Sequence, residues 1–269
     1  MQSFFVRKEQ LHTENKEIEI LGDNFNHIKN VLRYNIGDKL NIVVENESKY
    51  LCMIKEITKE TIICDIESRI DSNCEANIKI DIYQGLPKFD KMEYIIQKCT
   101  ELGVWSFIPV CLKRCVVKLN GKDEMKKIAR WNKIAEAAAM QCGRIHIPLV
   151  KNCINLKQLC NIIPEYDIVI LAYEDEKEKY IKNVIKRKNI NNIALIIGPE
   201  GGLDKEEVYK LKESGVNIVS LGNRILRTET APIVMSSIIM YELGDIGGRK
   251  DEWSWTEIRI RTKRQKNNS

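Results

Sequence analysis

The sequence predicts an α/β protein in which a small N-terminal β domain precedes a larger domain with a mainly parallel sheet. Short β-branched runs at hairpin spacing fill roughly the first seventy of the 269 residues. From Ile78 onward, apolar strand-like runs alternate with segments of helical period, which is the pattern of a parallel sheet covered by helices. The composition, 43% hydrophobic and 30% charged, is that of a globular protein.

The N-terminal domain is expected over residues 1–72 as a small barrel or sandwich. A short helix is predicted in FNHIKNVLRYNIGDKL and is expected to end near Gly37. The strands after it are predicted in KLNIVVE, YLCMIKEI and TIICDIE, with the polar turns ENESK and TKE between them. The polar stretch at residues 71–77 is predicted to link this domain to the next.

The second domain is expected over residues 73–246. Its predicted strands are, in chain order, IKIDIYQGL, FIPVCL, IPLV, YDIVILA, NIALIIG and VNIVSLG. Its predicted helices are KFDKMEYIIQKCTELGV, DEMKKIARWNKIAEAAAMQCG, NLKQLCN, EDEKEKYIKNVIKRK, DKEEVYKLKESG and APIVMSSIIMYELG. Asp204 and Glu207 are expected to form a capping box at the start of the fifth helix, which Gly215 ends. Thr230 is expected to cap the last helix.

The net charge of +5 gives weak support for a nucleic-acid partner, because most of it lies at the C-terminus. Residues 249–269 carry seven basic and three acidic side chains, whereas residues 1–75 are net acidic. The segment 247–269 is expected to be a disordered basic tail, with an RNA-touching extension as the alternative. An RNA partner would therefore have to be bound by local clusters of cations.

Several classes of protein are disfavoured by what the sequence lacks. No stretch of about eighteen apolar residues is present, and the N-terminus has no apolar signal-peptide core, so a cytoplasmic protein is expected. The nine cysteines are scattered without a C-x-x-C pair, and no metal site is predicted. Neither G-x-x-x-x-G-K-[ST] nor a G-x-G-x-x-G after a strand occurs, which disfavours ATP and NAD binding by the familiar routes.

Two glycine-marked turns point to a ligand site. IIGPEGG (residues 196–202) and LGNRILRTETAP (residues 221–232) each follow a predicted strand, and LAYED (residues 171–175) follows a third. Ligands of open α/β sheets bind outside the carboxyl ends of the strands, so we expect these turns to line one pocket. Arg224 and Arg227 stand just before a predicted helix, where cations oppose the helix dipole. Such a local conflict indicates a functional site.

These turns, extended to IIGPEGGLDKEEV and LGNRILRTETAPIV, resemble the hallmark segments of the RsmE family of SPOUT-class methyltransferases. Three upstream segments, HIKNVLR, IIQKCTELGV and EAAAMQCGRIHIP, are similar to further family segments and occur in the family's order. The resemblance covers roughly residues 1–244. Members of the family methylate N3 of a uridine in small-subunit ribosomal RNA, which is the activity that the resemblance implies.

The resemblance also implies an architecture and a cofactor. It implies a PUA-like or OB-like RNA-binding barrel, then a SPOUT domain with a deep C-terminal trefoil knot, in a homodimer. Periodicity alone favours an unknotted Rossmann-like sheet, because knots are rare. S-adenosylmethionine (SAM) would lie in the knot, held largely by backbone groups of three loops. The positions expected to bind it are Leu171, Ile197, Gly198, Gly202, Leu221, Gly222, Ile225, Leu226 and Thr228.

The expected catalytic residues are Arg227 and Glu229. Uridine N3 carries a proton at neutral pH, and this proton must be lost before or during attack on the methyl group. Arg227 is hypothesised to stabilise the developing charge or to grip a phosphate. Glu229 is hypothesised to orient its partners or to take the proton, with a structural role at the helix start as the alternative.

The expected partner is 16S ribosomal RNA within the small ribosomal subunit. Five cations or histidines are expected to contact it: Arg7, His27, Lys29, Arg33 and Arg144. For His27, a structural role in the core is the alternative. Two other functions stay open, namely a SPOUT methyltransferase that acts on tRNA or on ribose 2′-OH, and a non-catalytic RNA-binding protein on an α/β scaffold.

Overall fold

The computed structural model describes residues 3–70, 74–185 and 190–248. Within these ranges the chain forms two sheets, a mixed one from the N-terminal residues and a parallel one from the remainder. This arrangement confirms the predicted α/β domain with a small β domain before it, whereas the knot stays a prediction. Almost all of the predicted basic tail, the first three residues of the predicted linker and residues 186–189 lie outside the described residues. No helix within the described ranges combines the length and the apolar character needed to cross a membrane.

The first sheet is a curled half-barrel of six strands. They are β1 (Ser3–Val6), β2 (Leu11–His12), β3 (Glu17–Ile20), β4 (Lys39–Val44), β5 (Ser48–Ile57) and β6 (Ile62–Ile70). Their order across the sheet is β1-β4-β5-β6-β3-β2. β1 pairs in parallel with β4, and the other neighbours are antiparallel. Alternate residues of β4, among them Leu40 and Ile42, point into a core that Phe4 and Ile28 complete.

The three strands predicted in this region correspond to β4, β5 and β6, whereas the predicted helix is shorter than expected. Helix α1 (Gly22–Asn26) continues only through a π-helical turn at His27–Val31. Arg33 then adopts a left-handed conformation with φ 55°, which a helix cannot accommodate. The sequence therefore indicated the helix correctly but not its end.

The second sheet contains seven strands, all paired in parallel. They are β7 (Lys79–Gly85), β8 (Ser106–Cys111), β9 (Leu149–Val150), β10 (Ile154–Asn155), β11 (Ile168–Ala172), β12 (Asn192–Ile197) and β13 (Asn217–Val219). The order is β10-β8-β7-β12-β11-β13, with β9 also paired to β8. The continuous apolar runs of β11 and β12 reflect burial on both faces of the sheet.

Helices cover both faces of this sheet. They are α2 (Lys91–Glu101), α3 (Gly121–Cys142), α4 (Leu156–Ile162), α5 (Ile181–Val184), α6 (Lys205–Glu213) and α7 (Thr230–Glu242). Buried residues of α2, α3, α5 and α7 pack on one face, and those of α4 and α6 pack on the other. The capping box at α6 is confirmed, since Asp204 accepts a hydrogen bond from the backbone N–H of Glu206 and Glu207 accepts one from that of Asp204.

Two expectations about helix starts are wrong. The charged segment at residues 174–188 is a loop as far as Tyr180, and only α5 is helical among its described residues. The backbone of this segment instead bonds to the end of β13. The N–H of Tyr173, just before the segment, donates to the carbonyl oxygen of Val219, and the carbonyl oxygen of Lys179 accepts from the N–H of Ser220. Thr230 is not the cap of α7 but its first residue. Glu229 holds the cap position and makes no side-chain capping bond there.

Arg144 connects several segments and does not lie on an RNA-binding surface. Its side chain is buried and donates to the carboxylate of Glu75, with Nη2 to Oε2 at 2.7 Å. Its Nη1 donates to the carbonyl oxygens of Thr100 and Val104, at 3.0 and 2.7 Å. The expected contact of Arg144 with RNA is therefore corrected to a structural role, because its guanidinium is enclosed by acceptors of the protein itself.

We predict that Arg144→Met lowers the free energy of unfolding by about 3 kcal/mol, since the substitution leaves the Glu75 carboxylate without its buried cation. The matched control is Arg130→Met, which removes an exposed 2.9 Å pair with Glu93. The control should cost less than about 1 kcal/mol. Urea unfolding followed by circular dichroism measures both, and equal losses would contradict the structural role of Arg144.

Candidate active site

The carboxyl ends of three neighbouring parallel strands form one edge of the second sheet. β12 and β13 flank β11, with Leu171 in register with Ile196 on one side and with Ile218 on the other. The chain leaves this edge through three loops, one after each strand. These loops carry the two glycine-marked turns and the segment after Leu171, so the edge predicted from the sequence exists.

A cavity of about 490 Å³ lies at this edge. Eight of the nine predicted cofactor-binding residues line it: Ile197, Gly198, Gly202, Leu221, Gly222, Ile225, Leu226 and Thr228. Leu171 does not, because its side chain is wholly buried on the other face of the sheet among the residues under α4 and α6. The next residue, Ala172, takes its place in the lining together with Tyr173 and Glu174.

Two glycines of the first turn leave little room for a side chain. A Cβ on Gly198 would lie 2.7 Å from Cδ1 of Leu203. Gly202 has φ 67°, and a Cβ there would collide with the carboxylate of Glu174. The conformation of Gly202 therefore favours glycine, and a side chain at Gly198 would have to shift the buried Leu203. The main chain of this turn is accessible to a ligand at close range.

Thr228 joins the two glycine-marked turns. Its buried hydroxyl donates to the carbonyl oxygen of Gly198 at 2.7 Å and accepts from Nε2 of Gln84 at 3.0 Å. Gln84, at the end of β7, also donates to the carbonyl oxygen of Gly85 at 3.0 Å. Sequence reasoning missed Gln84, since a glutamine inside a strand pattern carries no signal of its partners.

Lys91 forms a second connection between the turns. Its Nζ lies 3.1 Å from Oε1 of Glu200 in the first turn and 3.1 Å from Oε2 of Glu229 in the second. The backbone N–H of Lys88 also donates to Glu200, at 3.0 Å. Hydrogen bonding to Glu200 and then to Glu229 raises the pKa of Lys91, so its ammonium group stays charged beside the cavity that it lines. Sequence reasoning missed this lysine, which stands among many others.

The two expected catalytic residues occupy different environments. The Arg227 side chain lines the cavity and is 84% exposed, with Nη1 4.0 Å from Oε1 of Glu229. The Glu229 side chain is only 16% exposed and lies behind Lys91, outside the lining. Ile225, 86% exposed, stands at the rim of the cavity. Arg227 and Lys91 line the cavity together with Lys177 and Arg224, and Glu229 faces both Arg227 and Lys91.

Of the residues expected to bind RNA, Arg7 and Arg33 are exposed on the half-barrel. His27 is half-buried with its ring edge against Phe4, at a centroid distance of 5.9 Å. Lys29 donates to the carbonyl oxygen of Thr58 at 2.8 Å, so its ammonium is already engaged. The two arginines are the freer donors of this group.

The described residues contain no cluster of three or more His, Cys, Asp or Glu side chains arranged to hold a metal ion. All nine cysteines are free thiols. Cys111 and Cys153 are in contact, with their sulfur atoms 3.0 Å apart at the edge formed by β8 and β10. This pair lies in the core beside the sheet and does not line the cavity.

Comparison with known protein families matches both parts of the chain. Residues 74–240 match the RNA methyltransferase domain model. Residues 20–67 match the RNA methyltransferase PUA domain model. The first match contains the parallel sheet and the cavity, and the second contains most of the half-barrel.

Similar proteins of known name and structure support this match. Ribosomal RNA small subunit methyltransferase E of Bacillus subtilis is 37% identical over 249 residues, covering 90% of this chain and 97% of that protein. Its counterpart from Mesomycoplasma hyopneumoniae is 33% identical, with 87% and 97% covered. The crystal structure of ribosomal RNA small subunit methyltransferase E from Neisseria gonorrhoeae, bound to S-adenosyl methionine, is 26% identical, with a TM-score of 0.81 and 91% and 99% covered.

The agreement therefore extends over nearly the whole length of these relatives, and it includes both sheets and the loops that form the cavity. The chain belongs to the ribosomal RNA small subunit methyltransferase E family.

Proposed function

We propose that the protein transfers a methyl group from SAM to N3 of a uridine in 16S ribosomal RNA of the small subunit. The observation that carries this proposal is the cavity at the three strand ends, in a chain of this family. Its lining combines close-approach glycines with the cations Lys91 and Arg227. The glycine turn, which would hold SAM, therefore lies beside cations that can stabilise negative charge on the target base.

The residues present fit SAM. A cavity of about 490 Å³ is within the usual range for small-molecule sites, roughly 300–1,000 Å³. Ile197, Leu221 and Leu226 supply apolar surface for an adenine ring, and the glycine turn exposes backbone groups for polar atoms. SAM would supply a methyl group on a positively charged sulfur. The eight predicted residues that line the cavity are proposed as its binding residues.

The protein's part in the reaction is electrostatic. As the N3 proton is lost, negative charge develops over the uracil ring, and a fixed cation lowers the energy of that state. We assign this role to Arg227, which is exposed toward the cavity. Glu229 is assigned to orient Arg227 and Lys91, because it contacts both and does not itself line the cavity.

RNA binding is assigned mainly to the half-barrel. N3 lies on the Watson–Crick edge, so the target base must be unpaired or flipped out of its helix before it reaches the cavity. Arg7 and Arg33 are proposed to grip flanking phosphates, with His27 and Lys29 as lesser contributors. If Arg7→Glu combined with Arg33→Glu leaves the affinity for small subunits unchanged, the half-barrel is not the gripping surface.

The oligomeric state and the domain boundaries are part of the same proposal. We propose a cytoplasmic homodimer with a knotted α/β domain at residues 73–246, an RNA-binding domain at residues 1–72 and a basic tail at residues 247–269. Sedimentation of a monomer at micromolar concentration would refute the dimer. Limited proteolysis with cleavage far from residues 71–77 would argue against the boundary.

The proposed activity is tested by methyl transfer with labelled SAM. Purified protein is incubated with small ribosomal subunits from cells that lack the enzyme, with naked 16S RNA and tRNA in parallel. We expect label in the ribosomal RNA, as N3-methyluridine after nuclease digestion and chromatography. Label in tRNA or on ribose 2′-OH would assign a different substrate, and RNA binding without any transfer would indicate a binding protein.

We predict that Glu229→Gln lowers the single-turnover rate by about tenfold or more, the effect of losing about 1.4 kcal/mol of transition-state stabilisation. The substitution keeps the shape of the side chain but removes the charge that orients Lys91 and Arg227. SAM affinity should change little. Glu213→Gln, at the exposed end of α6, is the matched control. A full single-turnover rate in Glu229→Gln would remove the residue from catalysis.

We predict that Gly202→Ala weakens SAM binding about threefold or more, because the new Cβ displaces the carboxylate of Glu174, which lines the cavity. Gly215→Ala is the matched control, since Gly215 has φ 92° but a Cβ there would meet nothing within 4 Å. Both variants should lose about 1 kcal/mol of stability from backbone strain. Isothermal titration measures the SAM affinity of each variant. Equal affinities of Gly202→Ala and Gly215→Ala would contradict the placement of the cofactor in this cavity.

A further inference from the structure

Phe89 is the most exposed large apolar side chain in the described part of the protein, at 89%. It lies in the short loop between β7 and α2, two residues before Lys91. Its φ is 56°, in the left-handed region. The loop therefore presents an aromatic ring to solvent from a backbone conformation that bulky residues rarely adopt.

Neither feature contributes to the stability of the fold. A non-glycine residue in the left-handed conformation is strained, and an exposed ring gains none of the free energy of apolar burial. Three other non-glycine residues within the described ranges have positive φ, namely Lys16, Arg33 and Asn46, and all are polar residues of the half-barrel. Phe89 is the apolar exception. Strained residues that persist without structural benefit occur preferentially at functional sites.

The loop that carries Phe89 is held firmly against the candidate active site. The backbone N–H of Lys88 donates to Oε1 of Glu200 at 3.0 Å. A Cβ on Gly85 would lie 2.7 Å from Cδ of Pro199, so the loop starts in direct contact with the first glycine-marked turn. At its other end Lys91 lines the cavity. Phe89 is thus attached on both sides to residues that shape the cavity.

The exposed groups around the cavity favour a nucleic acid over an apolar protein surface. Arg224 and Arg227 are exposed and belong to the lining. Among the described residues Arg224 has no ion pair, and the Nη1 of Arg227 reaches Glu229 only at 4.0 Å. An exposed aromatic ring on a loop that borders the same cavity as exposed guanidinium groups suits an unpaired nucleotide, because the ring can stack on a base while the cations face phosphates.

We infer that Phe89 is a stacking platform for an unpaired base of the RNA substrate at the mouth of the cavity. The inference rests on the proposed function, since it requires an RNA substrate, and it adds an RNA-binding residue outside the half-barrel. Phe89 contacts the substrate by its ring face. The fixed backbone of the loop pre-orients that ring, so little side-chain freedom is lost when the base arrives.

The test measures RNA and SAM binding separately on full-length variants. Phe89→Ala should weaken the affinity for unmethylated small subunits by about tenfold to a hundredfold, the usual effect of losing one base stack. Phe89→Leu should bind small subunits nearly as weakly as Phe89→Ala, because leucine is apolar but has no ring to stack on a base. Phe89→Trp should retain affinity. SAM affinity should be unchanged in all three. Tyr209→Ala, which removes an aromatic side chain 64% exposed on α6, is the matched control and should bind RNA normally.

A second variant distinguishes a binding role from a structural one. Phe89→Gly relieves the strained conformation, so it should be at least as heat-stable as the parent while binding RNA as weakly as Phe89→Ala. Destabilisation by Phe89→Gly, or unchanged RNA affinity in Phe89→Ala, would overturn the inference. A shift of Phe89→Ala to a smaller oligomer in sedimentation would also overturn it and assign the ring to a contact with a second copy.

The failure of this inference is distinguishable from failure of the proposed function. If the parent protein methylates small subunits and the Phe89 variants do so with the same KM for RNA, only the stacking role is refuted. If the parent protein neither binds nor methylates RNA, both proposals fail together.

Discussion

One buried hydroxyl group holds the two turns of the site in place. Thr228 donates to the carbonyl oxygen of Gly198 and accepts from Gln84, so a residue just before α7 is fixed to the end of β12. The two turns are separated in sequence by α6 and β13, and the segment between Leu221 and Arg227 has few other hydrogen bonds. Because these bonds are shielded from water, they hold the turns more firmly than exposed ones would. The shape of the cavity depends on this connection.

The ionic contacts of Lys91 also join these two turns. Lys91 bridges Glu200 and Glu229, and Glu229 in turn faces Arg227. Two arginines are tolerated close to the start of α7 because a carboxylate lies there as well. Glu229, at the cap position, places a carboxylate beside the positive end of the helix dipole. The cations remain exposed, which is costly for a helix start but useful for a polyanionic substrate.

Local patterns in the sequence predicted much of this arrangement. The apolar runs of β11 and β12 are so continuous that burial on both faces follows directly, and the capping box at Asp204 gave the start of α6. The position of the cavity also followed, since glycine turns after parallel strands of one sheet are expected to lie at the same edge. The resemblance to a known family then specified the ligand, which spacing alone left open.

Interactions between distant segments were not predictable from local patterns. β1 was missed because its partner β4 is more than thirty residues away. The charged segment after Tyr173 looked helical, but its backbone bonds go to the strand beside it. Arg144 resembled any other cation until the structure placed it against Glu75, and Lys91 resembled any other lysine until two carboxylates were found around it.

Hydrogen–deuterium exchange with and without SAM shows whether the cavity between the two turns is the cofactor site, on which the proposed function depends. We expect slower exchange at the backbone amides of residues 198–202 and 221–228 when SAM is bound, with little change in residues 3–70. Protection confined to other segments, or none in these turns at saturating SAM, would contradict this assignment.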